Sequence, residues 1–429
     1  MNCAADHLRT LEKPILIVLF ATVFCLGVWH RVTNNNTPRR SPDEKRYMLY
    51  AAAVLHAPFD APCALTIVYN DTPLDWIYPI PLRLGYYYSI AAIASLFRMT
   101  PEHAGVALSA ASSILQLALV AFLGFRFFGA WTALTALALL SVSPQDVLMA
   151  RRVWGDGVSG CVAMALVWLC AEIIVRPHLT RARPWFIAFF VCGLYFLLLK
   201  ESGGFFFGLC AVGLAIHVWF HFRSWKLVTS IVAATAATAL CAFVLVASSC
   251  GGVASVLTAV HHSAQAITTN IFDIDYQSGP WYSFPVGLWV LSPLTAFGCA
   301  AGIAALLLPG CPLARTLSLT REQRLIAVGM TALIILIIIV ATVPPALKNV
   351  RLISFIFGPW YLMAGLGLTY MIVKLRALPW PRAITALAAL VVIYSCLSDF
   401  SRFQEYFLRH NIQDLNIRQL MDVPFAGGS

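Results

Sequence analysis

Apolar residues in this chain come in long uninterrupted stretches separated by short polar breaks. The clear stretches are 14–30, 105–124, 130–148, 157–175, 184–199, 203–220, 227–249, 284–308, 325–343, 352–373 and 383–398. Each approaches the ~20 residues that carry an α-helix across a bilayer. The ten-residue alternation of a membrane β-barrel is absent, so the backbone must satisfy itself within helices. The pattern predicts an all-α polytopic transmembrane bundle of about eleven spans.

One further stretch, YPIPLRLGYYYSIAAIASLF at 78–97, holds two prolines and Arg83 and leaves 14 unbroken residues from Leu84 to Phe97. A run that short belongs in the interface rather than across the membrane. Residues 31–104 are then one outer loop with two amphipathic surface helices.

Charge supports that choice. With a cytoplasmic N-terminus and 78–97 not crossing, five basic loops fall inside: Arg126; Arg176, Arg181 and Arg183; Arg223 and Lys226; Arg315, Arg321 and Arg324; Lys374, Arg376 and Arg382. If 78–97 crossed, all five would move outside, against the positive-inside rule. The net charge of +10 therefore reads as topogenic, and no nucleic-acid partner is expected. The first stretch follows Arg9 and Lys13 without a small-residue cleavage site, so it is predicted to stay as a signal anchor.

Composition adds two exclusions. At 60% hydrophobic and 11% charged, the chain has too little polar surface for a soluble globule. Its twelve cysteines, among them Cys25, Cys161, Cys170, Cys192, Cys210, Cys241 and Cys299, lie mostly inside apolar runs as packing residues. No CxxC pair or Cys/His cluster suggests zinc.

The polar exceptions gather on the predicted outer face. SPDEKRYMLY (41–50) sets Asp43 and Glu44 at the start of a short helix. Carboxylates there are favoured by unpaired amides and the helix dipole; the sharper alternative is a catalytic acid. In ARRVWGDGVSG (150–160), Asp156 sits at the mouth of a span after Arg151 and Arg152. An intramembrane carboxylate costs about 2.5–3.5 kcal/mol on insertion scales, so it is kept for function or for pairing, here with Arg152. Lys200 and Glu201 form a turn between two spans, either solvated or placed to neutralise a phosphate. Lys348 and Arg351 precede a late span, either snorkelling or binding phosphate, the latter a bidentate task suited to Arg. The loop 250–283 carries His261, His262, Tyr276, Trp281 and Tyr282, which fit a polar surface with an aromatic belt or a sugar-stacking site. Neither GxxxxGK[ST] nor a GxGxxG following a strand is present.

Taken in order across residues 14–370, these segments resemble the GT-C superfamily of membrane glycosyltransferases. The resemblance is nearest to the branch of protein O-mannosyltransferases and lipid A aminoarabinose transferases. It is carried by Asp43-Glu44 with Tyr47, the YPIPL stretch at 78–82, and Arg151, Arg152 and Asp156. Lys200-Glu201, SGPWYSFPVGLWVLSP, and Arg351 opening RLISFIFGPWYLMAGLGL complete it. The resemblance implies a polyprenyl-phosphate-linked sugar donor, a lipid, glycan or protein acceptor, and inversion at the anomeric carbon. Asp43 is then the general base, with Glu44 as its alternative, and Asp156 orients Asp43 or the acceptor. Lys200 and Arg351 stabilise the leaving phosphate. Tyr47, Arg83, Arg152, Glu201, His261, His262 and Tyr276 complete the implied substrate contacts. No metal ligand is assigned, and a divalent cation is left open.

The chain departs from that pattern in two places. The lysine that often precedes the paired prolines is replaced by Tyr78 and Pro79, with Arg83 a little later. The unit 1–398 ends in a short polar tail, 399–429, predicted to be helical and to lie on the membrane or contact a partner. The implied setting is a bacterial inner membrane with the site facing the periplasm. A lipid-linked glycan ligase or polymerase and a secondary transporter are the alternatives; the latter wants an internal repeat, and none is evident.

Overall fold

Nine of the eleven apolar runs fold as single membrane-length helices in the computed structural model, which describes residues 2–33, 41–176, 178–270, 278–343, 348–412 and 414–422. The chain opens with α1 (Asn2–Val32), α2 (Pro42–His56), α3 (Ala61–Asp71), α4 (Leu84–Phe97) and α5 (Pro101–Leu123). It continues through α6 (Ala130–Ser141), α7 (Pro144–Ala150), α8 (Gly155–Ile174), α9 (Leu179–Leu199) and α10 (Gly203–Phe222). The later spans are Trp225–Ser249, Arg321–Thr342, Val350–Leu375 and Pro381–Arg409. Every element among the described residues is helical, apart from one isolated bridge between Asn349 and Asn416.

The two remaining runs are broken at Ser-Pro. The 130–148 run divides into α6 and α7, bent by 62°. The 284–308 run divides into Ser283–Leu291 and Pro293–Leu307. Proline lacks an amide hydrogen and its ring crowds the turn before it, so it ends one helix and opens the next. Hydrophobicity alone marks both runs as apolar and says nothing of the bend.

Breaking a helix inside the bundle frees carbonyls that need donors. Buried Arg31, at the end of α1, supplies them: it donates to the Leu140 and Ser141 carbonyls at 3.0 Å each and pairs with Asp146 on α7. Tyr361 adds a 2.6 Å bond to Ser143 at the same bend. At the second break Ser292 donates to Asp399 at 2.7 Å.

Val350–Leu375 and α8 form the axis of the bundle, 89% and 72% buried over their apolar windows, whereas the first and last spans are 11% buried and face outward. Close approach of Pro293–Leu307 to the axis depends on glycine. A Cβ on Gly367 would fall 2.0 Å from the Gly298 carbonyl oxygen, and one on Gly302 would fall 2.6 Å from that of Met363. This is the small-residue seam by which membrane helices pack without a hydrophobic driving force.

The loop between α1 and α5 holds three helices, one more than the sequence reading expects. The addition is α3, eleven residues opened by Pro62. At about 1.5 Å per residue, the 14 residues of α4 reach about 21 Å, short of the ~30 Å hydrocarbon core. It packs against α2, α5 and α9.

Charges separate between the ends of the bundle. At one end buried Glu172 is held by Arg126 at 2.7 Å and Arg176 at 2.5 Å, two residues from the basic loops. At the other end stand the start of α8, the end of α9 and the start of the 350–375 span. The remaining charged side chains of interest meet there.

Candidate active site

A cavity of about 920 Å³ opens at that end, walled by α2, the Trp76–Arg83 turn, the first turn of α8, the α9–α10 turn and Arg351. Its position follows from α2. Ser41 caps that helix in a reciprocal box: the Ser41 amide donates to the Glu44 carboxylate at 2.8 Å, and Ser41 Oγ accepts from the Glu44 amide. Successive helical residues point about 100° apart, so Asp43 and Glu44 cannot serve the same face. Glu44 turns into the protein and is fully buried, accepting from the Val153 amide at 2.8 Å and pairing with fully buried Arg152 at 2.7 Å. Asp43 turns into the cavity, one helical turn before Tyr47 on the same wall.

The 151–154 loop locks this geometry. Arg151 donates to the His30 carbonyl at 2.9 Å, fixing the loop to α1. Trp154, fully buried, donates to Ser41 at 3.3 Å. Two guanidinium groups approach its ring, Arg152 at 4.6 Å and Arg351 at 5.0 Å from the centroid. Cation–π contact with a desolvated indole orients Arg351 without consuming its N–H donors.

Three charged groupings face the cavity. Arg351 donates to Asp43 at 2.6 Å and lies 3.4 Å from Asp414. Lys200 pairs with Asp156. Arg83 grips Glu201 through two nitrogens at 2.9 Å each and also donates to the Tyr47 hydroxyl. Burial pushes the Tyr47 phenol up to about 12 against the pull of Arg83, so it stays neutral and keeps its own O–H to offer. Burial also draws the Lys200 ammonium below the ordinary lysine range; Asp156 opposes this, while Arg83 and Arg351 add to it.

The sequence candidates therefore divide. Asp43, Tyr47, Arg83, Asp156, Lys200 and Arg351 line one cavity. Glu201 reaches it through Arg83, whereas Glu44 and Arg152 form a buried strut behind the wall. The alternative Asp156–Arg152 pair is not the one formed: Asp156 takes Lys200 and Arg152 takes Glu44, because the two ends of the 151–156 loop face opposite ways. His262 stacks on Trp76 at 3.7 Å and supports a cavity wall from behind; exposed His261 lies beside it, its ring 6.1 Å from that of His262. Tyr276 lies outside the described residues. Lys348 donates to the Ala341 and Thr342 carbonyls, capping the preceding span.

Other lining residues carry no local sequence signal. The tail does not run off along the membrane: His410, Asn411, Ile412, Asp414 and Gln419 fold back over the cavity. Its apolar positions Leu415, Ile417 and Leu420 are buried. Arg46 pairs with Asp75 and stacks on Tyr78 at 4.7 Å, holding the aromatic rim of the cavity. Among the described residues no group of three or more His, Cys, Asp or Glu side chains gathers into a metal-binding cluster.

No family model matches this chain, and no curated protein does. Solved structures do match. ArnT from Cupriavidus metallidurans, a lipid A aminoarabinose transferase, superposes in its apo state with a TM-score of 0.52 at 15% identity, over 97% of this chain and 74% of ArnT. The same enzyme bound to undecaprenyl phosphate gives 0.53 at 15% identity over 94% and 77%. The oligosaccharyltransferase of Archaeoglobus fulgidus gives 0.60 at 12% identity, covering 96% of this chain and 56% of that one. Both are GT-C glycosyltransferases, and this chain has the transmembrane fold they share.

Proposed function

We propose that this chain is a membrane glycosyltransferase that moves a sugar from a polyprenyl-phosphate carrier to a lipid, glycan or protein acceptor. The observation that carries the reading is the pairing of Asp43 with Arg351 and of Asp156 with Lys200 around one cavity at the end of a GT-C fold. A structural neighbour holds undecaprenyl phosphate, which supports this class of carrier. Residues 31–104 form the loop that brings the base to the site, and the site faces the outside or periplasm of a bacterial inner membrane.

Asp43 accepts the proton of an acceptor hydroxyl as its oxygen attacks the anomeric carbon. The bond from that carbon to the phosphate oxygen breaks with inversion, and the polyprenyl phosphate leaves with the electron pair. Lys200 and Arg351 lie where charge grows on that phosphate, and such fixed donors are worth most in a site shielded from water. Asp156 holds Lys200, and Tyr47 offers a hydroxyl donor. The test supplies purified protein with sugars on polyprenyl monophosphate or diphosphate carriers. Transfer from the monophosphate is expected. Transfer only from the diphosphate, or uptake of a labelled solute into proteoliposomes without carrier turnover, would overturn the reading.

The pH dependence follows from Lys200. Its charge is complete well below its pKa in the protein and is lost as pH rises through it. Because that pKa lies below the ordinary lysine value, the loss comes earlier than for an exposed lysine. The rate should fall on the alkaline side, and Lys200→Arg should move that limb to higher pH. An unmoved limb in the arginine variant would remove Lys200 from the role.

A further inference from the structure

Arg351 is held by two carboxylates where one would neutralise it. Asp43 takes one nitrogen at 2.6 Å, and Asp414, from the folded-back tail, lies 3.4 Å from another. The tail is pinned on both sides of Asp414. Ile412 donates to the Tyr406 carbonyl at 3.0 Å, and Val350 donates to the Leu415 carbonyl at 3.1 Å, next to the Asn349–Asn416 bridge. Ile417 packs against Gly287, where a Cβ would stand 2.9 Å from Ile417 Cγ1. Asp414 therefore reaches Arg351 from a fixed backbone, and any phosphate arriving at Arg351 must compete with it.

We propose that Asp414 stands in for the donor's phosphate: it faces Arg351 until the phosphate of a polyprenyl carrier displaces it. The inference rests on the carrier assigned above. It follows from the charge count around the cavity. Asp156 has Lys200 and Glu201 has Arg83, whereas Asp43 and Asp414 share Arg351. Two carboxylates facing one guanidinium already exceed its single charge, so a third anion is favoured there only as one of them leaves. Asp414 is the one to yield. Its contact is the longer, and burial pushes its carboxyl toward the neutral form against the pull of Arg351. Once displaced, the carboxyl stays on the cavity roof beside Asn411 and Gln419, where a polyhydroxylated ring can hydrogen-bond to it.

A residue that only braces the roof would weaken binding when lost, whereas a competitor strengthens it. Binding of undecaprenyl phosphate to the purified full chain, followed by native mass spectrometry, reads this sign. Asp414→Asn and Asp414→Ala should each bind the lipid at least fivefold more tightly than the native protein, and Arg351→Gln should bind at least tenfold more weakly. Unchanged or weaker binding in both Asp414 variants overturns the inference and leaves the carrier assignment standing. Failure of the native protein to bind undecaprenyl phosphate removes the carrier assignment and this inference with it.

Discussion

Asp43→Asn is expected to abolish sugar transfer while leaving the protein folded and able to bind polyprenyl phosphate. A positioned general base contributes about 10²–10⁴ in rate, and an asparagine amide cannot take the acceptor's proton. The substitution preserves shape and leaves an oxygen that can still accept from Arg351, so the 2.6 Å contact has a neutral replacement. Carrier binding through Lys200 and Arg351 should therefore persist, and the loss should lie in kcat rather than in carrier affinity. The measurement is single-turnover transfer with carrier binding followed in parallel. Activity within tenfold of native would show that another group takes the proton. Asp156→Asn provides the contrast: it strips Lys200 of its partner and should alter carrier affinity and rate together.

What the sequence made legible, and what it did not, follows the range of the interactions. Span positions came through because hydrophobic length is a local property, and nine runs became single helices. Charge count grouped Arg126 with Arg176 on one side, and the two do meet at one end of the bundle, around Glu172. The Ser-Pro breaks at 143–144 and 292–293 were visible as residues, but their angle depends on buried partners such as Arg31 and Asp146. Pairing was the least legible. Asp156 has Arg152 four residues before it, yet takes Lys200 from 44 residues away. Arg351 reaches Asp43 across 308 positions. No local pattern encodes such contacts, because they arise only when several helix ends converge. Asp414 went unread for the same reason: nothing in NIQDLNI indicates that the tail returns to the cavity.

Breaking the buried pair behind the site should have an effect of similar size, but on stability. Glu44 and Arg152 are both fully buried and 2.7 Å apart, and Glu44 also accepts from the Val153 and Ser41 amides. Glu44→Gln keeps the volume and removes the charge, leaving a buried guanidinium without its carboxylate. Removing one member of a buried pair costs about 3–5 kcal/mol, because the charge left behind has lost its compensation. The same change keeps the capping box that starts α2, since a glutamine can accept there as Gln323 does for the Thr320 amide, so the loss falls on the ion pair. Thermal unfolding in detergent should show a clear drop in midpoint for Glu44→Gln. The double variant Glu44→Gln, Arg152→Met should recover much of it, since the uncompensated guanidinium is gone while the glutamine oxygen still accepts from a backbone amide. This separates two neighbours that a sequence cannot tell apart. At temperatures where it remains folded, Glu44→Gln should keep activity within about tenfold of native, a small effect beside the 10²–10⁴ expected of a base. A Glu44→Gln protein that is stable but inactive would reverse the two assignments and make Glu44 the base.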